Sequence, residues 1–148
     1  MSCVFLTGMP KSGKTTLAIA LYNIIKNSVI LDGDELRKNL NYKGFSKKDR
    51  DEWVRKIGNL AFNLSSQGIS PIVALVSPYA SVRKEIRKKF VDAGMGFLLV
   101  YVKGSDKFMW EGSVYEEPGI DEDHIVIDRT RGVTDYEGIF RLYRRCFR

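Results

Sequence analysis

CVFLTGMPKSGKTT, residues 3–16, joins a short apolar run to a loop bracketed by glycines and then to a segment with helical character. Five apolar or β-branched residues, Cys3 to Thr7, followed directly by glycine read as a buried strand. Gly8-Met9-Pro10-Lys11-Ser12-Gly13-Lys14-Thr15 then fits GxxxxGK[ST], and the flanking strand and helix supply the context that the pattern requires. In such a loop, backbone N–H groups converge on an anion and the helix N-terminus adds its partial positive charge. Lys14 is placed to neutralise the β- and γ-phosphates of a nucleoside triphosphate, and the Thr15 hydroxyl to ligate Mg²⁺. Residues 8–16, Thr16 included, form the expected binding stretch for MgATP.

Working outward, strand-like and helix-like segments alternate. Lys14–Lys26 reads as a helix with few polar positions, and Ser28–Leu31 as a second strand leading into DGDELRKNL, a short helix. Ser46 is a candidate N-cap for a helix over Lys47–Gln67, in which Trp53, Ile57, Leu60, Ala61 and Leu64 form an apolar stripe. Ser70–Val76 and Gly96–Val102 read as strands around a basic helix over Ala80–Ala93, with His124–Asp128 as a fifth strand and Asp135–Phe147 as a closing helix. Lys103–Glu122 loses all periodicity and reads as a functional loop or lid. This alternation predicts an α/β fold, a parallel five-stranded sheet with helices on both faces. The length of 148 residues suits one domain, 1–148.

Composition excludes several classes. Hydrophobic residues at 44% and charged residues at 28% argue against disorder or a coiled coil. No apolar run is long enough for a membrane span, and no export signal is read at the N-terminus, so a cytoplasmic location is expected. Cys3 and Cys146 make no disulfide framework. Lys and Arg exceed Asp and Glu by 24 to 18, but the basic residues are dispersed and read as solvated helix faces. Neither a nucleic acid nor a membrane is expected as partner.

Asp32 and Asp34 flank Gly33 at the end of the second strand, where open α/β sheets place their ligands. Asp34 and Arg37 are three apart at the start of a helix and share a face. A carboxylate there can take the proton of an acceptor hydroxyl, and a guanidinium can fork onto phosphate or sulfate. That is the arrangement a small-molecule kinase needs. A helix-capping aspartate beside a solvated arginine is the structural alternative.

LDGDELR (31–37), GFSKKDR (44–50) followed by RKIG (55–58), and VSPY (76–79) with Arg83 stand in one order with the phosphate loop. Together they resemble the adenylylsulfate kinases, which phosphorylate the 3′-hydroxyl of adenosine 5′-phosphosulfate with MgATP. The similarity runs from about Val4 to Arg87 and returns weakly at YEEP (115–118). It implies the three-layer P-loop kinase fold, with Asp34 as general base and Lys14 as the phosphate-loop cation. It further implies that Arg37 and Arg50 clamp the acceptor's anion, that Phe45 stacks on its base, and that Ser77 lies near the reacting groups. The expected partners are ATP and an anionic nucleotide, and a homodimer is one expected assembly.

The chain also departs from the family. The arginines of the family's lid are missing, which leaves Lys103 and Lys107 as expected covering cations, and Trp110 as a second base-stacking aromatic. Trp53 stands where the family usually has an asparagine in the acceptor pocket. Two alternatives stay open: a kinase for another nucleotide-activated molecule, such as a cytidine diphosphate derivative used in surface polysaccharide modification, and a non-catalytic nucleotide-binding protein.

Overall fold

The computed structural model describes residues 3–104, 114–130 and 135–146. Five strands, β1 (Cys3–Thr7), β2 (Ser28–Asp32), β3 (Ser70–Ala74), β4 (Phe97–Lys103) and β5 (Ile125–Asp128), form one sheet in the order β2-β3-β1-β4-β5. Every pairing is parallel, with β1 central between β3 and β4. The helices are α1 (Lys14–Tyr22), α2 (Gly33–Asn39), α3 (Lys47–Ser66), α4 (Ala80–Asp92) and α5 (Tyr136–Cys146).

Because side chains alternate along a strand, the sheet feeds two cores. Cys3, Phe5, Val73 and Leu99 pack with Trp53, Val54 and Ile57 of α3 and with Val82, Ile86 and Phe90 of α4. Val4, Leu6, Ile72 and Val100 face the other way, against Leu17 and Leu21 of α1 and Leu142 of α5. Strands covered on both faces need continuous apolar runs, which is why CVFLT and FLLVYV show no polar alternation. The three-layer parallel fold is the one expected.

Local differences have local causes. The first helix closes at Tyr22 rather than Lys26: the N–H groups of Ile24 and Ile25 both turn back to the Leu21 carbonyl, and Asn27 takes a left-handed φ of 54° into β2. Ile19 and Tyr22 face solvent although the segment has few polar positions. Leu60, assigned to the apolar stripe of α3, is exposed too. Ser46 caps α3 as expected: its hydroxyl accepts from the Asp49 N–H while the Asp49 carboxylate accepts from the Ser46 N–H, a capping box. The α4 face expected to be solvated holds one exception, since Arg83 is fully buried.

Candidate active site

The phosphate loop leaves β1 at the sheet's centre, where the chain's direction of winding reverses and a crevice opens. Gly8 has no alternative there, because a Cβ would run into the Val102 carbonyl. Lys14 Nζ donates to the carbonyls of Gly8 at 2.9 Å and Met9 at 2.7 Å, curling over its own loop. Burial pushes its ammonium down to a pKa of about 8, against the partial support of Asp34 and Asp32. Pro10, Lys11, Gly13, Lys14, Thr15 and Thr16 line a polar cavity of about 280 Å³ together with Asp32 and Asp34. Met9 lines the neighbouring cleft instead, and Gly8 and Ser12 line neither.

Asp32 carries a role that Asp34 overshadows in the sequence. One of its carboxylate oxygens accepts from the N–H groups of Asp34 and Glu35, capping α2. The other accepts from the Thr15 hydroxyl at 2.9 Å. A hydroxyl and a carboxylate held side by side at a phosphate site suit Mg²⁺, which takes one or two protein oxygens and fills its octahedron with phosphates and water. Thr15 and Asp32 are the residues that would hold it. The D-G-D-E run, an aspartate two and three residues before free helix N–H groups, is the signal for this cap.

A second cleft of about 190 Å³ adjoins the first, lined among others by Arg37, Phe45, Arg50, Trp53, Ser77 and Val114. Asp34 borders both cavities. The structure thus brings Asp34, Lys14, Arg37, Phe45, Arg50, Trp53 and Ser77 to one crevice, while Trp110 and Lys107 lie outside the described residues.

Arg37 is held in this cleft by aromatic faces. Its guanidinium carbon lies 4.7 Å from the Phe45 ring centre, 5.4 Å from Tyr42 and 5.6 Å from Trp53, and its Nη2 donates to the Gly44 carbonyl at 2.6 Å. Trp53 is buried and stacks on Tyr42, with ring centres 4.9 Å apart. Phe45, by contrast, is 73% exposed, an aromatic face at the cleft mouth rather than a core residue. Tyr42 was not a sequence candidate. It sits in a turn whose role depends on contacts that spacing does not encode.

Ser77 follows β3 with a left-handed φ of 45°, an uncommon and strained conformation for a non-glycine residue. Its hydroxyl is the buried side-chain polar atom that has no hydrogen-bond partner among the described residues, and the residue lines the cleft. Arg83 fastens this turn. Its Nη1 donates to the Ser77 carbonyl at 2.7 Å, its Nη2 to the Glu116 carbonyl at 2.6 Å, and its Nε and Nη2 to the two oxygens of buried Glu122 at 2.8 and 3.0 Å. Tyr115 reaches the Thr7 hydroxyl at 2.9 Å, and burial pushes its phenol up to about 12. Thus 115–122, read as aperiodic loop, closes the back of the site.

Comparison with known proteins identifies the family. The family model described as adenylylsulphate kinase matches residues 1–113. The adenylyl-sulfate kinase of Myxococcus xanthus is 42% identical over 104 residues, 68% of this chain and 56% of that protein. That of Deinococcus deserti is 34% identical over 148 residues, covering 85% and 82%. The chain spans about half the length of several curated relatives that it matches. Among solved structures, the Mycobacterium tuberculosis APS kinase in complex with AMPPNP and APS superposes with a TM-score of 0.76 at 28% identity, over 96% of this chain and 95% of that one. Matched by the family model over most of its length and by a relative 34% identical over 85% of the chain, the chain belongs to the adenylylsulphate kinase family.

Proposed function

We infer that the protein is an ATP-dependent kinase that transfers the γ-phosphate to the ribose 3′-hydroxyl of a nucleotide carrying a second anion, of which adenosine 5′-phosphosulfate is the leading candidate. The observation that carries this reading is the position of Asp34, on the border between the phosphate cavity and the cleft that contains Arg37, Arg50 and Phe45. A hydroxyl bound in the cleft meets the carboxylate and the terminal phosphate together. The names of the relatives, and the APS and AMPPNP in the solved relative, support the same substrates.

Each residue then has a chemical task. Asp34 orients the hydroxyl and accepts its proton as the oxygen–phosphorus bond forms and the γ-phosphorus parts from the bridging oxygen of the leaving ADP. Lys14 leaves the loop carbonyls for the phosphates, whose charge favours its ammonium form. Arg37, preorganised by three rings, and Arg50 take the acceptor's anionic group, and Phe45 offers a face to its base. The buried Ser77 hydroxyl gives the cleft a polar group able to bond the acceptor. Thr15 and Asp32 would hold Mg²⁺, which when bound would neutralise the donor phosphates.

The test is ADP release from ATP with adenosine 5′-phosphosulfate, with cytidine diphosphate-linked acceptors, and without acceptor. Release that requires the adenylyl acceptor is expected. Release with the cytidylyl compounds alone would replace the substrate, and Trp53 in the cleft wall would be the reason. No acceptor-dependent release from a protein that binds ATP would mean a non-catalytic nucleotide-binding protein.

A further inference from the structure

The sheet order puts β2 and β3 on one side of β1, and β4 and β5 on the other. The acceptor cleft uses the first side, through Gly33, Asp34 and Leu75 to Pro78. In phosphoryl transfer, the attacking oxygen, the phosphorus and the leaving oxygen stand roughly in line. A donor whose γ-phosphate meets Asp34 therefore runs its remaining phosphates away from β2 and β3, across the start of α1, toward β4 and β5.

Two segments press on the phosphate loop from that side. Gly104, just after β4, lies so close that a Cβ on it would stand 2.8 Å from the Ser12 Cα. Arg129 directly follows β5 and is tied in place by its N–H, which donates to the Lys103 carbonyl at 2.7 Å. Its side chain folds over Gly13, the residue that caps α1 with φ 105°: a Cβ there would stand 2.5 Å from Arg129 Nη1 and 3.0 Å from Cζ. The guanidinium thus rests on the rim of the loop where the helix N–H groups emerge. Arg129 is exposed, and no carboxylate pairs with it among the described residues.

The geometry points to Arg129 as the cation that holds the donor's phosphate chain from the side opposite the acceptor, taking a place the sequence left to Lys103 or Lys107. This rests on the kinase reading above. A triphosphate brings several negative charges, and a guanidinium matches phosphate oxygens better than an ammonium does. Its backbone anchor on β4 holds it at the loop before any nucleotide arrives.

Calorimetric titration without acceptor tests this, using MgATP and magnesium tripolyphosphate against the unmodified protein, Arg129→Gln and Arg129→Lys. Loss of one charge-assisted bond at an exposed site should weaken both ligands about tenfold in Arg129→Gln, with only part of the loss recovered in Arg129→Lys. Thermal unfolding should be unchanged, since the side chain is exposed. Equal binding of both ligands by Arg129→Gln would overturn the proposal, as would a loss confined to MgATP, which would make Arg129 a reader of the nucleoside. An unmodified protein that binds MgATP through Arg129 yet phosphorylates no acceptor would sink the kinase reading and leave this inference standing.

Discussion

Replacing Arg83 with methionine should cost more than any other single change outside the hydrophobic core. Arg83 and Glu122 are 0% and 1% exposed as side chains, and two N–H···O bonds of 2.8 and 3.0 Å join them. Removing the guanidinium strands a carboxylate in the interior, which typically costs ~3–5 kcal/mol. The Ser77 and Glu116 carbonyls lose their donors at the same time, at ~1–3 kcal/mol each if left unsatisfied. These terms overlap within one network, so about 4 kcal/mol is the reasonable total. At ~2–4 °C per kcal/mol for a chain of this size, Tm should fall by roughly 8–16 °C. Urea unfolding followed by fluorescence of buried Trp53 measures the loss directly. The double variant Arg83→Met/Glu122→Leu should recover at least half of it, because no charge is then stranded. That double variant should still show a raised acceptor KM, since the strained Ser77 turn has lost its tie. A loss below about 1 kcal/mol in the single variant, or a double variant no more stable than the single, would refute the assignment of this pair as the clamp behind the site.

Other outcomes follow from the site itself. Lys14→Ala should lower phosphoryl transfer by ~10²–10³ with the fold intact, read by steady-state rate and circular dichroism. In the free protein Lys14 deprotonates near pH 8, below its ordinary value, whereas bound phosphates favour the ammonium. ATP affinity should therefore fall as pH rises through about 8, with proton uptake on binding, and calorimetry in two buffers would detect a Lys14→Ala protein that lacks the uptake. Asp34→Asn should lower kcat by ~10²–10⁴ with ATP binding preserved, whereas Arg37→Ala should chiefly raise acceptor KM; exchanged effects would reverse the two roles. Trp53→Asn removes the ring stacked on Tyr42 and facing Arg37, so a loss of ~3–5 kcal/mol and a weaker acceptor clamp are expected, while Trp53→Phe should retain most of both.

Much of the architecture was legible because it depends on local pattern. The run CVFLT, the glycines of the phosphate loop and the Ser46-x-x-Asp49 cap each act over a few residues, and the structure has them where the pattern puts them. Helix limits were less legible: composition alone extended the first helix through Lys26, but the turn at Asn27 needed to bring β2 beside β3 ends it at Tyr22. Basic residues along α4 look alike in sequence. Only packing against 116–122 makes Arg83 an interior ion pair while Lys84, one residue on, reaches Asp121 at the surface.

The sequence by itself determined that a strand, a glycine-bracketed loop and a helix would build a phosphate site. It also put an acid and an arginine at the next strand's end, because motif spacing is a local matter of backbone geometry. Tertiary structure alone decided what those groups face. It set Asp34 on the border of two cavities, enclosed Arg37 with Tyr42, Phe45 and Trp53, joined Asp32 to Thr15 across 17 positions, and laid Arg129 over Gly13 across 116. Such contacts follow from the order in which strands pair, and the parallel sheet brings together strand ends that the chain keeps far apart.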